Sequence, residues 1–282
     1  MATTRYMTTE EYLKTPETVL PQELIYGVLR AAEAPLPRQQ AAVADFFLAL
    51  VAHVRERQLA ALHTRRVPPT AYDRSHMKSI AAGAWLFEGF LALDEQMTLA
   101  ARCQQLIDRD DGGYTPTVRG GGKMRVRMLC LGRHWNPLTY TYEDIRSDYD
   151  GKPVPPLPDD LAAVAQRAAA MAGFTFQPDI CLINWYGDDG RMGLHQDKDE
   201  SRESIEAGLP VVSLSIGDTA RFLFGGLRRR EPVETLLLHS GDAFVFGGAA
   251  RLRYHGIARI LPRTAPPDLA LRGRFNLTFR KF

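Results

Sequence analysis

The chain has 282 residues, enough for one large domain or two small ones with a sizeable buried core, which excludes a disulfide-stapled miniprotein. Its 45% hydrophobic and 24% charged residues exclude bulk disorder and fibrous classes. A net charge of +2, from 35 basic and 33 acidic side chains, gives no sign in its total of a strongly basic nucleic-acid binder. The three cysteines, Cys103, Cys130 and Cys181, form no CxxC pair and read as reduced packing residues. No run reaches the ~18–20 apolar residues of a membrane helix, and Met1–Glu10 lacks the apolar stretch of a signal peptide. A cytoplasmic protein without membrane attachment is expected.

In chain order, Glu23-Leu-Ile-Tyr-Gly-Val-Leu29 reads as a short strand or hairpin edge. Val43, Phe46, Phe47, Leu50 and Val54 then recur at spacings of three and four, which predicts an amphipathic helix from about Gln39 to Leu62. His63–Ser75 is polar and carries Pro68-Pro69, so the chain is divided into an N-terminal segment 1–62, a linker 63–82 and a main domain 83–282. In the main domain an apolar stretch (Trp85, Leu86, Phe87, Phe90, Leu91) precedes a helix near Asp94–Asp108 with Met97, Cys103 and Leu106 inward. A second helix is expected at Asp159–Ala172, stopped by Gly173.

From Asp179 onward the pattern changes to short runs: Ile180–Trp185, Val211–Ile216, Arg221–Phe224, Val233–Leu238, Ala243–Phe246, Leu252–His255 and Arg274–Arg280. Glycines punctuate them, as in an antiparallel sheet. The fold class is mainly β with flanking helices: a jelly-roll, double-stranded β-helix core of cupin type, preceded by a small α+β N-terminal segment.

Leu194-His-Gln-Asp-Lys-Asp-Glu200 carries the chemistry. On a strand, His195 and Asp197 leave the same face and can meet one ion. His255, at the end of a predicted strand, completes two imidazoles and one carboxylate. That set, with open positions opposite, suits non-haem Fe(II), which must bind a cosubstrate and O2 together. In Arg274-Phe-Asn-Leu-Thr-Phe-Arg280 the polar residues Arg274, Asn276, Thr278 and Arg280 share one face and the apolar ones the other. A doubly cationic inner face calls for a buried anion. At ~3.3 Å per residue the two arginines lie roughly 20 Å apart, so both reach one five-carbon diacid only by leaning inward along a curved strand.

At these residues the sequence resembles the AlkB family of Fe(II)/2-oxoglutarate-dependent dioxygenases, which reverse alkylation damage in DNA. The matching pieces, in family order, are Cys181-Leu-Ile-Asn-Trp-Tyr186, Leu194–Glu200, Phe224-Gly-Gly-Leu-Arg-Arg229, Arg251-Leu-Arg-Tyr-His255 and Arg274–Arg280. The resemblance implies that His195, Asp197 and His255 hold the iron and that Asn184, Tyr186, Arg274, Asn276 and Arg280 hold 2-oxoglutarate. It further implies that Asp199 faces the alkylated base and that Arg229 contacts substrate. Gly132-Arg-His-Trp135 and Tyr140-Thr-Tyr142 resemble the family's recognition lid, with Trp135 as stacking platform and Tyr140 and Tyr142 near the phosphate or base. The implied activity is oxidative dealkylation of 1-methyladenine- and 3-methylcytosine-type lesions. It would act on single-stranded DNA or a flipped base, with RNA as a further substrate, releasing succinate, CO2 and formaldehyde. A base methylated at these nitrogens is cationic, so a carboxylate nearby favours lesion over normal base.

Met7–Leu13, Glu23–Leu29, Pro35–Gln39 and the following helix resemble the opening of a restriction-endonuclease-like nuclease family. Of its catalytic acids only Glu23 has a counterpart, and one carboxylate cannot hold a catalytic Mg2+ site, so residues 1–62 read as an inactive remnant. The competing functions are a 2-oxoglutarate oxygenase acting on protein or a small molecule, and a catalytically inactive nucleic-acid-binding module. A monomer is expected. The near-neutral total also hides asymmetry: 119–142 and 251–282 together carry +12, leaving −10 elsewhere.

Overall fold

Arg274-Phe-Asn-Leu-Thr-Phe-Arg280 alternates polar and apolar side chains, and in the computed structural model of the protein it is a strand whose two faces serve different layers. Phe275, Leu277 and Phe279 are fully buried against two helices, while Arg274, Asn276, Thr278 and Arg280 face a cavity. The structure describes residues 22–25, 28–31, 73–109 and 112–282, and the chain divides into two units, 1–71 and 72–282.

In the first unit, β1 (Gln22–Ile25) and β2 (Val28–Ala31) form an antiparallel hairpin matching Gln22 to Ala31. The helix expected over 39–62 and the rest of the nuclease-like resemblance lie outside the described residues.

The second unit is built on two sheets. Its strands are β3 (Met77–Ala81), β4 (Ala84–Phe87), β5 (Arg127–Leu131), β6 (His134–Asn136), β7 (Thr141–Glu143), β8 (Ile180–Tyr186), β9 (Met192–His195), β10 (Val211–Gly217), β11 (Thr219–Phe224), β12 (Glu234–Leu238), β13 (Ala243–Phe246), β14 (His255–Leu261) and β15 (Arg274–Arg280). The larger sheet has the order β3-β4-β13-β10-β15-β8-β5 and the smaller β12-β11-β14-β9, all antiparallel; β6 and β7 form a separate hairpin. Outside the larger sheet pack α1 (Leu93–Ile107) and α2 (Asp159–Met171). They meet Val212, Leu214 and Ile216 of β10 and the three apolar residues of β15. Phe222, Phe224, Phe244 and Phe246 fill the space between the sheets, beside the cavity. This two-sheet arrangement is the expected jelly roll.

Four expectations are corrected. Met77–Ala81, placed in the linker 63–82, is edge strand β3, in register with β4 from Met77 opposite Phe87. Five residues of mixed character at a sheet edge read as strand only once β4 supplies the hydrogen bonds. Met97 is 47% exposed, because Leu99, Cys103 and Leu106 define the inward stripe of α1 and a residue two places before Leu99 lies about 200° round the helix. Leu252–Tyr254 is not strand, and His255 begins β14 rather than ending a strand. Asp197 lies beyond β9, which ends at His195, so strand alternation does not place it.

Candidate active site

His195 and His255 stand directly opposite one another on antiparallel neighbours β9 and β14, with ring centroids 4.4 Å apart. Glycine makes the approach possible: a Cβ on Gly256 would lie 2.7 Å from the Met192 carbonyl oxygen and 2.9 Å from that of Gly193. Each Nδ1 faces a backbone carbonyl, Gly193 O at 2.9 Å for His195 and Arg253 O at 3.0 Å for His255. The Nε2 atoms are thus left to face Asp197, at 3.6 Å from Oδ1 and 3.5 Å from Oδ2. One ligand atom from each of the three residues lies within 4.8 Å of the others.

A loop carries Asp197 into place, and buried charge holds the loop. The Gln196 side chain donates to Leu252 O (2.6 Å), and Arg251 donates through Nη1 to Asp197 O and through Nη2 to Glu200 Oε2 (2.9 Å). Arg280 bonds Asp197 Oδ1 at 2.7 Å, approaches Glu200 Oε1 at 3.2 Å and donates to the Tyr142 hydroxyl at 2.7 Å. Burial opposes ionisation of Asp197, but Arg280 and then the two histidines outweigh it and hold the carboxyl well below the usual range. Burial, then the neighbouring His255, pulls His195 down to about 4, so its imidazole offers a lone pair rather than a proton near neutral pH.

Opposite the triad, β15 and β8 lie in register with Arg274 facing Tyr186 and Asn276 facing Asn184, so four of the residues predicted for 2-oxoglutarate are two cross-strand pairs. Arg274 is fully buried, donating to Asp218 O, Leu238 O and Ser215 Oγ at 2.6–3.1 Å; among the described residues no carboxylate forms an ion pair with it. Burial pulls it down to about 10. Asn276 donates to Ser213 Oγ (2.7 Å) and Leu214 O (3.2 Å), whereas Asn184 Oδ1 is buried without a partner. Burial also pushes the Tyr186 hydroxyl up.

Gly132, at φ +81° and with no room for a Cβ against Asp179, turns the chain from β5 into the β6–β7 hairpin. Trp135 and Tyr142 are cross-strand partners on that hairpin. The Trp135 indole donates to Asp199 Oδ2 at 2.8 Å, and Tyr140, 48% exposed, meets the indole edge-on at 6.0 Å. Tyr142 also lines the cavity, but it is buried, its hydroxyl accepts from Arg280, and it reaches Glu200 at 3.5 Å. Arg229 bonds Leu194 O at 2.9 Å and faces the cavity, whereas Arg228 and Arg230 do not line it, which fixes the register within the arginine run. Trp135, Tyr140, Tyr142, Asp199, Arg229, the His-Asp-His triad, the β8/β15 pairs and Arg280, the fifth residue expected to hold 2-oxoglutarate, all line one cavity of about 340 Å³.

The sequence profile of the 2OG-Fe(II) oxygenase superfamily matches residues 83–280. The alpha-ketoglutarate-dependent dioxygenase AlkB of Salmonella typhimurium is 42% identical over 165 residues, 57% of this chain and 74% of that protein. The chain belongs to the AlkB family of 2-oxoglutarate- and Fe(II)-dependent oxygenases. A protein of Arabidopsis thaliana named DNA N(6)-methyladenine demethylase ALKBH1C is 40% identical over 224 residues, 72% of this chain and 49% of that protein. The chain thus spans about half the length of the plant relatives it matches. The solved structure of OsALKBH1, 40% identical, superposes with a TM-score of 0.69, covering 73% of this chain and all of that one.

Membership brings Fe(II), with 2-oxoglutarate and O2 as cosubstrates, and the residues fit them. Two imidazoles and a carboxylate with a buried oxygen that accepts no hydrogen bond, Asp197 Oδ2, are a donor set for a divalent cation. Arg274, a buried cation that no carboxylate among the described residues pairs with, can receive an anion. Sequence reading overlooked Glu200 and Arg251, 1% and 3% exposed at their side chains. Each sits inside a quoted motif, three residues after Asp197 and four before His255, but their pairing spans 51 positions and follows no periodicity.

Proposed function

We propose that this chain oxidatively dealkylates N-alkylated nucleobases in DNA, and in RNA as a further substrate, at the cavity between the two sheets. The observation that carries the reading is one cavity that holds the His-Asp-His triad, a buried arginine without an ion-pair partner among the described residues, and a carboxylate beside the half-buried Trp135 and exposed Tyr140. A base has a flat face to stack and, when alkylated at adenine N1 or cytosine N3, a positive charge to recognise; Trp135 and Asp199 answer both needs. Such a base is out of reach in stacked duplex, so it enters single-stranded or flipped.

Bound iron supplies the oxidation of the N-alkyl carbon, coupled to decarboxylation of 2-oxoglutarate to succinate and CO2. The chain supplies position. Arg274 takes the far carboxylate of 2-oxoglutarate, with Tyr186 and Asn184 beside it on the facing strand. The phenylalanines between the sheets keep water from the inner wall of the cavity. Asp199 offers the base an acceptor, and Arg229 and Lys198 stand at the cavity for the nucleic-acid backbone. An N-methyl group becomes N-hydroxymethyl and leaves as formaldehyde, restoring the base. The two basic segments sum to +12 and match a polyanionic substrate, and three free, buried cysteines match a reducing cytoplasm.

The test incubates iron-loaded protein and 2-oxoglutarate with oligonucleotides carrying 1-methyladenine, 3-methylcytosine or N6-methyladenine and measures formaldehyde and restored base. Turnover on at least one, absent from His195→Ala, is expected. Succinate without restored base would transfer the reading to a protein or small-molecule oxygenase, and tight oligonucleotide binding without either product to an inactive binding module.

A further inference from the structure

The β6–β7 hairpin is keyed to the metal-ligand segment by two adjacent contacts. Cross-strand partners Trp135 and Tyr142 reach two consecutive acids, the indole N–H bonding Asp199 Oδ2 at 2.8 Å and the phenol reaching Glu200 Oε1 at 3.5 Å. Arg280, which holds Asp197, takes the same phenol. The hairpin tip is shaped for this: Tyr140 takes φ +60°, its N–H bonds Asn136 O at 2.9 Å, and its ring meets the indole edge-on.

Asp199 receives no hydrogen bond from any described residue other than Trp135. We propose that the indole N–H of Trp135 is a specificity determinant: by occupying Asp199 Oδ2 it leaves a single oriented acceptor, Oδ1, for the base. The proposal rests on the dealkylase reading above and goes beyond it by assigning base selection to a donor atom rather than to ring stacking.

The chemistry of the selection follows from what each base brings to that oxygen. Alkylated adenine and cytosine carry an exocyclic amino hydrogen that Oδ1 can accept. 1-Methylguanine and 3-methylthymine present a carbonyl oxygen there, acceptor against acceptor, and the carboxylate cannot turn away to relieve the repulsion while the indole holds it. A carboxylate freed from the indole rotates about χ2 and loses that orientation.

Trp135→Phe tests this, because it keeps an aromatic ring and removes the donor. The readout is the ratio of kcat/KM for 1-methyladenine and 3-methylcytosine oligonucleotides to that for 1-methylguanine and 3-methylthymine, which uniform loss of stacking or stability leaves unchanged. We expect the ratio to fall about tenfold in Trp135→Phe, the size of one charge-assisted hydrogen bond, and the same substitution to change the ratio little when made in an Asp199→Asn background, where the carboxylate it orients is gone. Nitrogen-15 labelling of the three tryptophans gives a second readout: one indole N–H resonance of the wild type should move upfield in Asp199→Asn. An unchanged ratio in Trp135→Phe, or equal loss on all four lesions, would overturn the proposal while the dealkylase reading stands. A wild type inert on all four lesions and on N6-methyladenine would overturn both.

Discussion

The two arginines of β15 share a face, lie six residues apart and are both buried, yet they live in different electrostatic worlds. Arg280 is saturated with charge, touching Asp197, Glu200 and the Tyr142 hydroxyl; burial alone would pull it down, but those partners hold it above the usual arginine range. Arg274 has neutral acceptors only and is pulled down by burial. A buried cation whose counter-charges are built in is a structural tie. A buried cation without one is free to pair with an anion that arrives from outside, as the proposed function requires of Arg274.

The largest effect that can break this contrast is on stability. Arg280→Met leaves Glu200 with Arg251 and the buried Asp197 carboxylate with no guanidinium among the described residues, and should cost about 3–5 kcal/mol in urea unfolding. Arg274→Met strands neutral acceptors and should cost about 1–3 kcal/mol. Equal losses would mean that the two arginines do the same job. Next in size, Arg274→Lys should raise the KM for 2-oxoglutarate at least about tenfold while Co(II) affinity, followed by its visible absorption, stays within about twofold. Arg280→Lys should weaken both.

A finer test concerns Glu200 and Arg251, which extend the saturated side. Either Glu200→Gln or Arg251→Met alone should loosen the loop that carries Asp197 and weaken metal binding. The double variant should recover part of the lost stability, because replacing both members of a buried pair costs less than orphaning one. The smallest effect concerns Cys130, beside Arg280 on β5. Burial pushes its thiol up to about 12 although Arg280 draws it down. Below its unfolded value, near 8.5, ionisation costs the fold nothing; as pH rises from there toward about 12, the unfolded chain releases protons that the folded chain keeps, and stability falls. At pH 8 a thiol reagent should therefore label Cys103, Cys130 and Cys181 only after denaturant is added.

How legible these features were depends on the range of the forces behind them. The faces of β15 were legible because a strand imposes a period of two on neighbours in sequence. The triad was legible in composition, but the placement of Asp197 was not. It depends on Arg251 and Gln196 reaching across the fold, and no local pattern encodes that. His255 was read at the wrong end of a strand because Leu252-Arg-Tyr254 has strand-like composition. Arg253 instead donates to Gly225 O, and Gly225 N–H bonds Tyr254 O, which fixes an irregular segment. The bond from Arg280 to the Tyr142 hydroxyl was likewise not legible, because it joins residues 138 positions apart.

The pairing of His195 with His255 has a consequence for motion. β9 is the outer strand of the smaller sheet, matched to β14 at only two positions with an irregularity at Gly256 between them, whereas β14 is held on both sides. One ligand thus stands on the loosest strand of that sheet and its partner on an inner one. A divalent ion bound by both acts as a crosslink at an otherwise weakly pinned edge. Amide hydrogens of residues 192–195 should exchange early in the apoprotein and slow markedly on metal loading, while those of β14 should change little.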